Sequence, residues 1–127
     1  MPADRASPHL PRPALIDSYG DGGFRFGHLS HRGSVLCLPD GVWAIAAATP
    51  AEIGASEIEL LLGSTPPVEH LLIGAGRDPW PLPEALRTQL RDNGIVTESM
   101  TTGAAVRTWN MLLVERRRVG ALLIAVA

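Results

Sequence analysis

The second half of the chain alternates between short apolar runs and amphipathic stretches, and this alternation limits the fold more than any other feature. The alternating segments are three predicted strands, at residues 68–73, 95–99 and 119–126, and three predicted helices, at residues 55–62, 83–92 and 101–115. Strands that alternate with helices in this way are typical of βαβ units. We therefore predict an α/β fold with a partly parallel sheet.

The first third of the chain is predicted to be rich in strands. Residues 20–23 indicate a turn, because three of the four are glycines and glycine adopts positive φ at little cost. Residues 24–26 then alternate apolar and polar side chains like an edge strand. The apolar run of residues 33–38 stops at a Pro-Asp-Gly turn signal, and residues 42–47 form the next predicted strand.

Length and local composition predict one domain behind a tail. A chain of 127 residues has the size of a single domain. Residues 1–14 contain four prolines and little hydrophobic pattern, so they are predicted to be a flexible tail in front of an α/β domain at residues 15–127.

The longest apolar run, residues 119–127, is far shorter than the roughly 20 residues of a membrane helix, so we expect no direct membrane insertion. With Cys37 as its single cysteine, the chain is predicted to be cytoplasmic.

Charge and residue usage exclude several classes of function. The formal net charge is −2, which argues against a nucleic-acid partner. All eleven basic residues are arginines, so a Schiff-base lysine and a P-loop lysine are excluded. One cysteine and four scattered histidines fit no zinc spacing, and we predict no metal. No nucleophile motif or paired acids stand out, so the sequence favours a protein without catalytic activity.

The predicted helix at residues 101–115 has two different faces. On a helical wheel, five apolar side chains point to one side, where they should pack on the sheet: Ala105, Val106, Trp109, Leu112 and Leu113. The opposite side carries Arg107, Asn110, Met111, Val114 and Arg118. Three interpretations of this outer side stay open: a solvated surface, a surface covered by a partner protein, and a ligand site at Arg107.

A glycine pair follows the predicted strand at residues 68–73. Gly74 and Gly76 do not complete a dinucleotide fingerprint, because Pro79 stands at the third glycine position and no helix begins directly. We therefore predict no cofactor. In open α/β sheets, however, ligands bind at the carboxyl ends of the strands. Arg77 could therefore frame a crevice for an anion with Arg107 and the helix start at Thr102 and Gly103.

Several motifs occur together in the order of one known family. They are residues 19–26, residues 33–36 with Pro39, residues 72–76 and residues 100–115. Over residues 15–127 the chain resembles the small uncharacterised domain family that includes mitochondrial respiratory complex I assembly factor three and adipogenesis-associated relatives. The resemblance implies a three-layer α/β fold with a mixed central sheet and a β-rich edge, and it implies no established catalytic residue.

The chain departs from the family pattern inside the last motif. Thr101 stands where the family usually has aspartate, Val106 where cysteine is common, and Trp109 where tyrosine is usual. If the family's aspartate or cysteine is chemically active, this protein lacks that activity. We expect a non-catalytic interaction or assembly factor with a protein partner, and the alternative is an α/β protein or enzyme that binds a small molecule or anion. The candidate binding residues are Gly74, Gly76, Arg77, Thr102, Gly103, Arg107, Asn110 and Met111.

Overall fold

A computed structural model of the protein describes Arg5 and residues 7–127. The strands within these residues are β1 Ser18–Gly20, β2 Gly23–Phe26, β3 Leu29–Arg32, β4 Val35–Leu38, β5 Gly41–Ala44, β6 His70–Gly74, β7 Val96–Met100 and β8 Val119–Leu123. The helices are α1 Ala55–Leu62, α2 Glu84–Asp92 and α3 Thr102–Val114, and a 3-10 turn lies at Pro50–Glu52. None of the described helices has the length and apolar character needed to cross a membrane.

The central sheet has five strands in the order β5-β4-β8-β6-β7. Strand β6 runs parallel to both β7 and β8, whereas β4 runs antiparallel to β5 and to β8. The mixed sheet confirms the predicted α/β class, because crossovers through α2 and α3 produce the parallel pairs. Strands β1, β2 and β3 form a separate antiparallel sheet.

Two hydrophobic clusters make the domain three-layered. Alternate side chains of β4 face opposite sides of the sheet, so Leu36 and Leu38 enter one cluster and Val35 and Cys37 enter the other. Helices α1 and α2 cover the first cluster, whereas α3 and the small sheet cover the second. Cys37 is fully buried, and this burial raises the pKa of its thiol, so it behaves as a small hydrophobic residue.

The N-terminal third differs from the prediction in its strand order. The segment at residues 24–26, predicted as an edge strand, lies in β2, the central strand of the small sheet. The sequence does not predict its neighbours β1 and β3, because both strands are short and expose most of their residues. They are defined by backbone pairing with β2, which leaves little hydrophobic pattern in the sequence.

Contacts with the domain begin well before the predicted boundary at residue 14. Leu10 is buried in the second cluster, and its carbonyl oxygen accepts a hydrogen bond of 2.9 Å from the amide of Val42. The Arg5 guanidinium lies 4.6 Å from the ring centroid of Trp43 and 3.1 Å from a carboxylate oxygen of Asp40. The sequence alone does not predict these contacts, because they join segments that are far apart along the chain. Residues 1–4 and 6 of the predicted tail lie outside the described part of the chain.

Candidate functional site

The start of α3 is fixed to the ends of β6 and β8 by Thr102. Its side chain is fully buried, and the hydroxyl donates to the carbonyl oxygen of Ile124 at 2.7 Å and accepts from the amide of Gly76 at 2.9 Å. The amide of Thr102 donates in turn to the carbonyl oxygen of Gly76 at 2.9 Å. Thr101 is the N-cap, because its hydroxyl accepts from the amide of Ala104 at 3.3 Å. The loop after β6 is thereby held against the first turn of α3.

Helix α3 approaches β6 closely at Gly74. A Cβ atom at this position would lie 2.9 Å from a methyl group of Leu123 and 3.0 Å from the Cα of Thr102. Any larger residue would therefore force the helix away from the sheet. Gly76, two residues later, has a φ of 102°, a conformation that favours glycine and turns the chain outwards at Arg77.

The middle of α3 holds the segment that precedes β1. Asn110 accepts from the amide of Ile16 at 2.8 Å and donates to the carbonyl oxygen of the same residue at 2.9 Å. The indole nitrogen of Trp109 donates to the carbonyl oxygen of Ala14 at 2.9 Å. The predicted inner face of the helix is confirmed, since Ala105, Val106 and Trp109 are buried. Asn110, predicted to face outwards, instead binds the backbone of the chain.

An open crevice of about 640 Å³ lies between the start of α3, the loop after β6 and the end of β1. Its lining residues are Tyr19, Gly20, Gly76, Arg77, Thr101, Gly103, Arg107, Val126 and Ala127. Four of the predicted candidates, Gly76, Arg77, Gly103 and Arg107, thus lie in one place although they come from two separate segments. We refer to this cavity as the arginine crevice.

The arginine crevice is positively charged. Arg107 is exposed and forms no ion pair with any described acid, whereas Arg77 already donates to a main-chain oxygen of Ala127, the last residue of the sequence. The amide of Gly103 belongs to the first turn of α3 and has no hydrogen-bond partner among the described residues. None of the lining residues is an acid or a histidine. The crevice can therefore bind an oxyanion, and no carboxylate or imidazole side chain lines it as a general base.

Tyr19 lines the crevice although it was not among the predicted binding residues. A Cβ atom added to Gly103 would lie 2.3 Å from the Tyr19 hydroxyl and 3.6 Å from a guanidinium nitrogen of Arg107. Gly103 is therefore the point at which the tyrosine and the arginine approach each other. Tyr19 belongs to β1, and a strand of three residues gives no pattern from which this contact could be predicted.

The other candidates lie outside the lining of the crevice. Gly74 and Thr102 are buried in the contact between α3 and the sheet, and Asn110 holds the backbone of Ile16. Met111 is exposed further along the helix. The sequence does not show that the side chains of Thr102 and Asn110 already bind the protein's own backbone, and a ligand contact at either of them stays a prediction.

Residues 16–124 match a protein family of unknown function, DUF498/DUF598. This range includes every residue that lines the arginine crevice except Val126 and Ala127. The chain belongs to the DUF498/DUF598 family. An uncharacterised protein of Rhodobacter capsulatus is 38% identical to it over 109 residues, which cover 86% of this chain and 82% of that protein. The predicted resemblance to a small uncharacterised family is confirmed at this level.

Solved structures of similar proteins share the fold of this DUF498/DUF598 member. An outer membrane protein from Bartonella henselae is 48% identical, with a TM-score of 0.86 over 94% of this chain and 100% of that one. The Rpa2829 protein from Rhodopseudomonas palustris is 44% identical, with a TM-score of 0.81 over 94% and 89% of the two chains. A Mth938-like domain protein of Bordetella pertussis is 26% identical, with a TM-score of 0.76 over 90% and 88%.

Proposed function

We propose that the protein is a non-catalytic binding protein whose arginine crevice receives an anionic group, either a phosphate or a carboxylate. The observation that carries this proposal is that Arg77 and Arg107, from separate segments, line one open crevice whose lining has no acidic side chain. Guanidinium groups bind oxyanions through paired, charge-assisted hydrogen bonds. Two of them in one crevice favour an anion over a neutral ligand.

The start of α3 supports the same ligand chemistry. The amide of Gly103 lies in the first turn, where the helix dipole favours negative charge. The hydroxyls of Thr102 and Thr101 bind Gly76 and Ala104 respectively, so they fix the loop and the helix instead of contacting the ligand. The binding groups are therefore the two guanidiniums, the Gly103 amide and the Tyr19 hydroxyl.

Pyrophosphate is a suitable probe for this crevice. In a titration followed by amide NMR shifts, we expect the signals of Gly76, Arg77 and Gly103 to move with pyrophosphate concentration. Arg107→Gln should weaken this binding by about tenfold or more, because a hydrogen bond to a charged group contributes roughly 1.5–3 kcal/mol. Since Arg107 is exposed and forms no ion pair with the described residues, its replacement should change stability by less than about 0.5 kcal/mol.

Arg91→Gln is the matched control for this experiment. Arg91 lies on α2, is exposed, and forms no ion pair with the described residues, so its replacement makes the same change in net charge away from the crevice. Wild-type affinity is expected for this variant. Equal pyrophosphate binding by Arg107→Gln and the wild-type protein would contradict the proposal, as would shifts confined to other parts of the domain.

A second candidate function is protein interaction, and it rests on an apolar strip along α3. Leu15, Met111 and Val114 are 46%, 56% and 70% exposed. Leu15 lies beside the helix because both of its neighbours, Ala14 and Ile16, are hydrogen-bonded to α3. Large apolar side chains gathered on one exposed face favour a covering partner. An assembly role, for a respiratory or another membrane complex, is the function that the family resemblance implies.

Affinity purification of the whole protein from its native cells tests this second candidate. If the strip binds a partner, the double variant Met111→Asp/Val114→Asp should lose a captured protein that wild type retains, because burying two carboxylates in the interface is unfavourable. Val96→Asp is the control, since Val96 is 66% exposed on β7 in a different part of the fold. Capture of the same proteins by wild type, by the double variant and by Val96→Asp would refute this second candidate function. The cytoplasmic location remains part of this proposal and is tested by cell fractionation.

A further inference from the structure

A second cavity of about 620 Å³ lies on the exposed face of the small sheet. Its lining residues are Ser18, Tyr19, Gly20, Asp21, Gly23, Phe24, Arg25, Ser30, His31 and Arg32. The strand register places Ser18 opposite Arg25 and Arg25 opposite Ser30, so these three side chains form one row across the sheet. All three are exposed, and directly opposed side chains in a sheet lie about 5 Å apart at their Cβ atoms.

Arg32 adds a second positive charge to this row. It lies two residues after Ser30 on β3 and therefore points to the same side of the sheet. Neither Arg25 nor Arg32 forms an ion pair with a described acid, although Asp21 also lines the cavity. The pKa of His31 is lowered, first by burial of the ring and then by the nearby His9 ring. A hydrogen bond with the backbone of Ser34 raises this pKa and opposes the two effects only in part. At neutral pH the positive charge of this cavity therefore comes from its two arginines.

The two cavities adjoin each other at the end of β1. Tyr19 and Gly20 line both of them, so the turn after β1 separates Arg25 and Arg32 on one side from Arg77 and Arg107 on the other. Four arginines and one aspartate thus line the two adjoining cavities, on a chain whose formal net charge is −2. The remaining residues carry seven arginines and twelve acids, so the two cavities are more cationic than the chain as a whole, although Arg116, Arg117 and Arg118 form a second basic segment after α3.

We infer that the two cavities bind one extended acidic peptide segment of a partner protein, whose carboxylates lie on both sides of the turn at Tyr19 and Gly20. This inference rests on the proposed function, because one end of the segment occupies the arginine crevice. The serine hydroxyls beside Arg25 add hydrogen-bond donors for a second carboxylate.

The shape of the surface favours a peptide over a compact metabolite. Small-molecule pockets typically have volumes of about 300–1,000 Å³ and enclose most of the ligand. Each cavity alone has a volume within that range, but both are open, and most of the residues that line the second one are exposed, so neither encloses a ligand. A long nucleic acid is disfavoured as well, because acids outnumber arginines in the rest of the chain. A short acidic segment matches both the charge and the open shape.

Fluorescence anisotropy with a labelled peptide of eight glutamates tests the inference on the full chain. We expect the wild-type protein to bind this peptide. The double variant Arg25→Gln/Arg32→Gln should bind it at least tenfold more weakly, and so should Arg77→Gln/Arg107→Gln. All four side chains are exposed, so melting temperatures should stay close to that of wild type.

A matched double variant and the smaller probe separate the outcomes. Arg12→Gln/Arg91→Gln makes the same change in charge with two exposed arginines outside both cavities, and its peptide affinity should change less than twofold. Pyrophosphate binding in the arginine crevice should be unaffected by Arg25→Gln/Arg32→Gln.

Three results would overturn the inference: no peptide binding by wild type, an equal loss in the control pair, or a loss only in Arg77→Gln/Arg107→Gln. A loss of peptide binding only in Arg77→Gln/Arg107→Gln would refute the extended peptide site and would be consistent with the proposed anion binding in the arginine crevice. Pyrophosphate binding that Arg77→Gln/Arg107→Gln leaves unchanged would instead refute the proposed function.

Discussion

Replacing Trp109 with alanine is expected to lower the free energy of unfolding by about 3–5 kcal/mol. The indole is fully buried in the cluster between α3 and the central sheet. Its removal leaves a cavity that the surrounding sheet and helix fill only partly, and it also leaves the carbonyl oxygen of Ala14 without the indole donor. This loss is a large fraction of the roughly 5–15 kcal/mol typical of a native domain.

Urea denaturation of matched variants measures this loss. Trp109→Phe keeps most of the buried ring but not the hydrogen bond to Ala14, so it should cost clearly less than the alanine variant. Trp80→Ala is a second comparison, because Trp80 is only partly buried at the edge of the other cluster. A midpoint for Trp109→Ala equal to that of wild type would contradict the packing of α3 described above.

The second half of the fold was predictable because its elements carry strong periodic patterns. Helix α1 occupies the predicted residues 55–62, and α2 begins one residue after the predicted start at Pro83. Strands β6, β7 and β8 fall within about two residues of their predicted starts. Each of these elements buries one side or both sides in a core, and burial is what creates the hydrophobic pattern.

The small sheet and the N-terminal segment were harder to predict because their contacts are non-local. Strands β1 and β3 are held by backbone pairing with β2, which places no demand on their exposed side chains. Leu10 pairs with Val42, a residue far away along the chain. A proline-rich segment with one buried leucine has the same composition as an unpacked tail, so composition alone could not distinguish them.

The topology of the sheet predicted the location of the candidate site better than the residue types predicted its members. The rule that ligands bind at the carboxyl ends of strands brought Gly76, Arg77, Gly103 and Arg107 together, and all four line the crevice. Asn110 and Thr102 look equally suited to ligand binding in the sequence. Both side chains bind the backbone of other segments, and that role is visible only in three dimensions.

Thr102→Val tests this distinction between architecture and binding. Valine has nearly the same shape, so the expected loss of about 2–4 kcal/mol comes from the two hydrogen bonds of the hydroxyl. Without it, the amide of Gly76 and the carbonyl oxygen of Ile124 lose their partner at a fully buried position. Urea denaturation gives the size of the loss directly.

Thr108→Val is the matched control, because it removes a hydroxyl further along the same helix. The Thr108 hydroxyl donates to the carbonyl oxygen of Ala104 within α3, and the side chain is only half-buried, so its loss should cost less than about 1 kcal/mol. If Thr102→Val instead kept wild-type stability and lost pyrophosphate binding, Thr102 would be a ligand contact. The loop after β6 would then have to be held by its remaining bonds, which include those from the Thr102 amide to Gly76 and from the Ala75 amide to Met100.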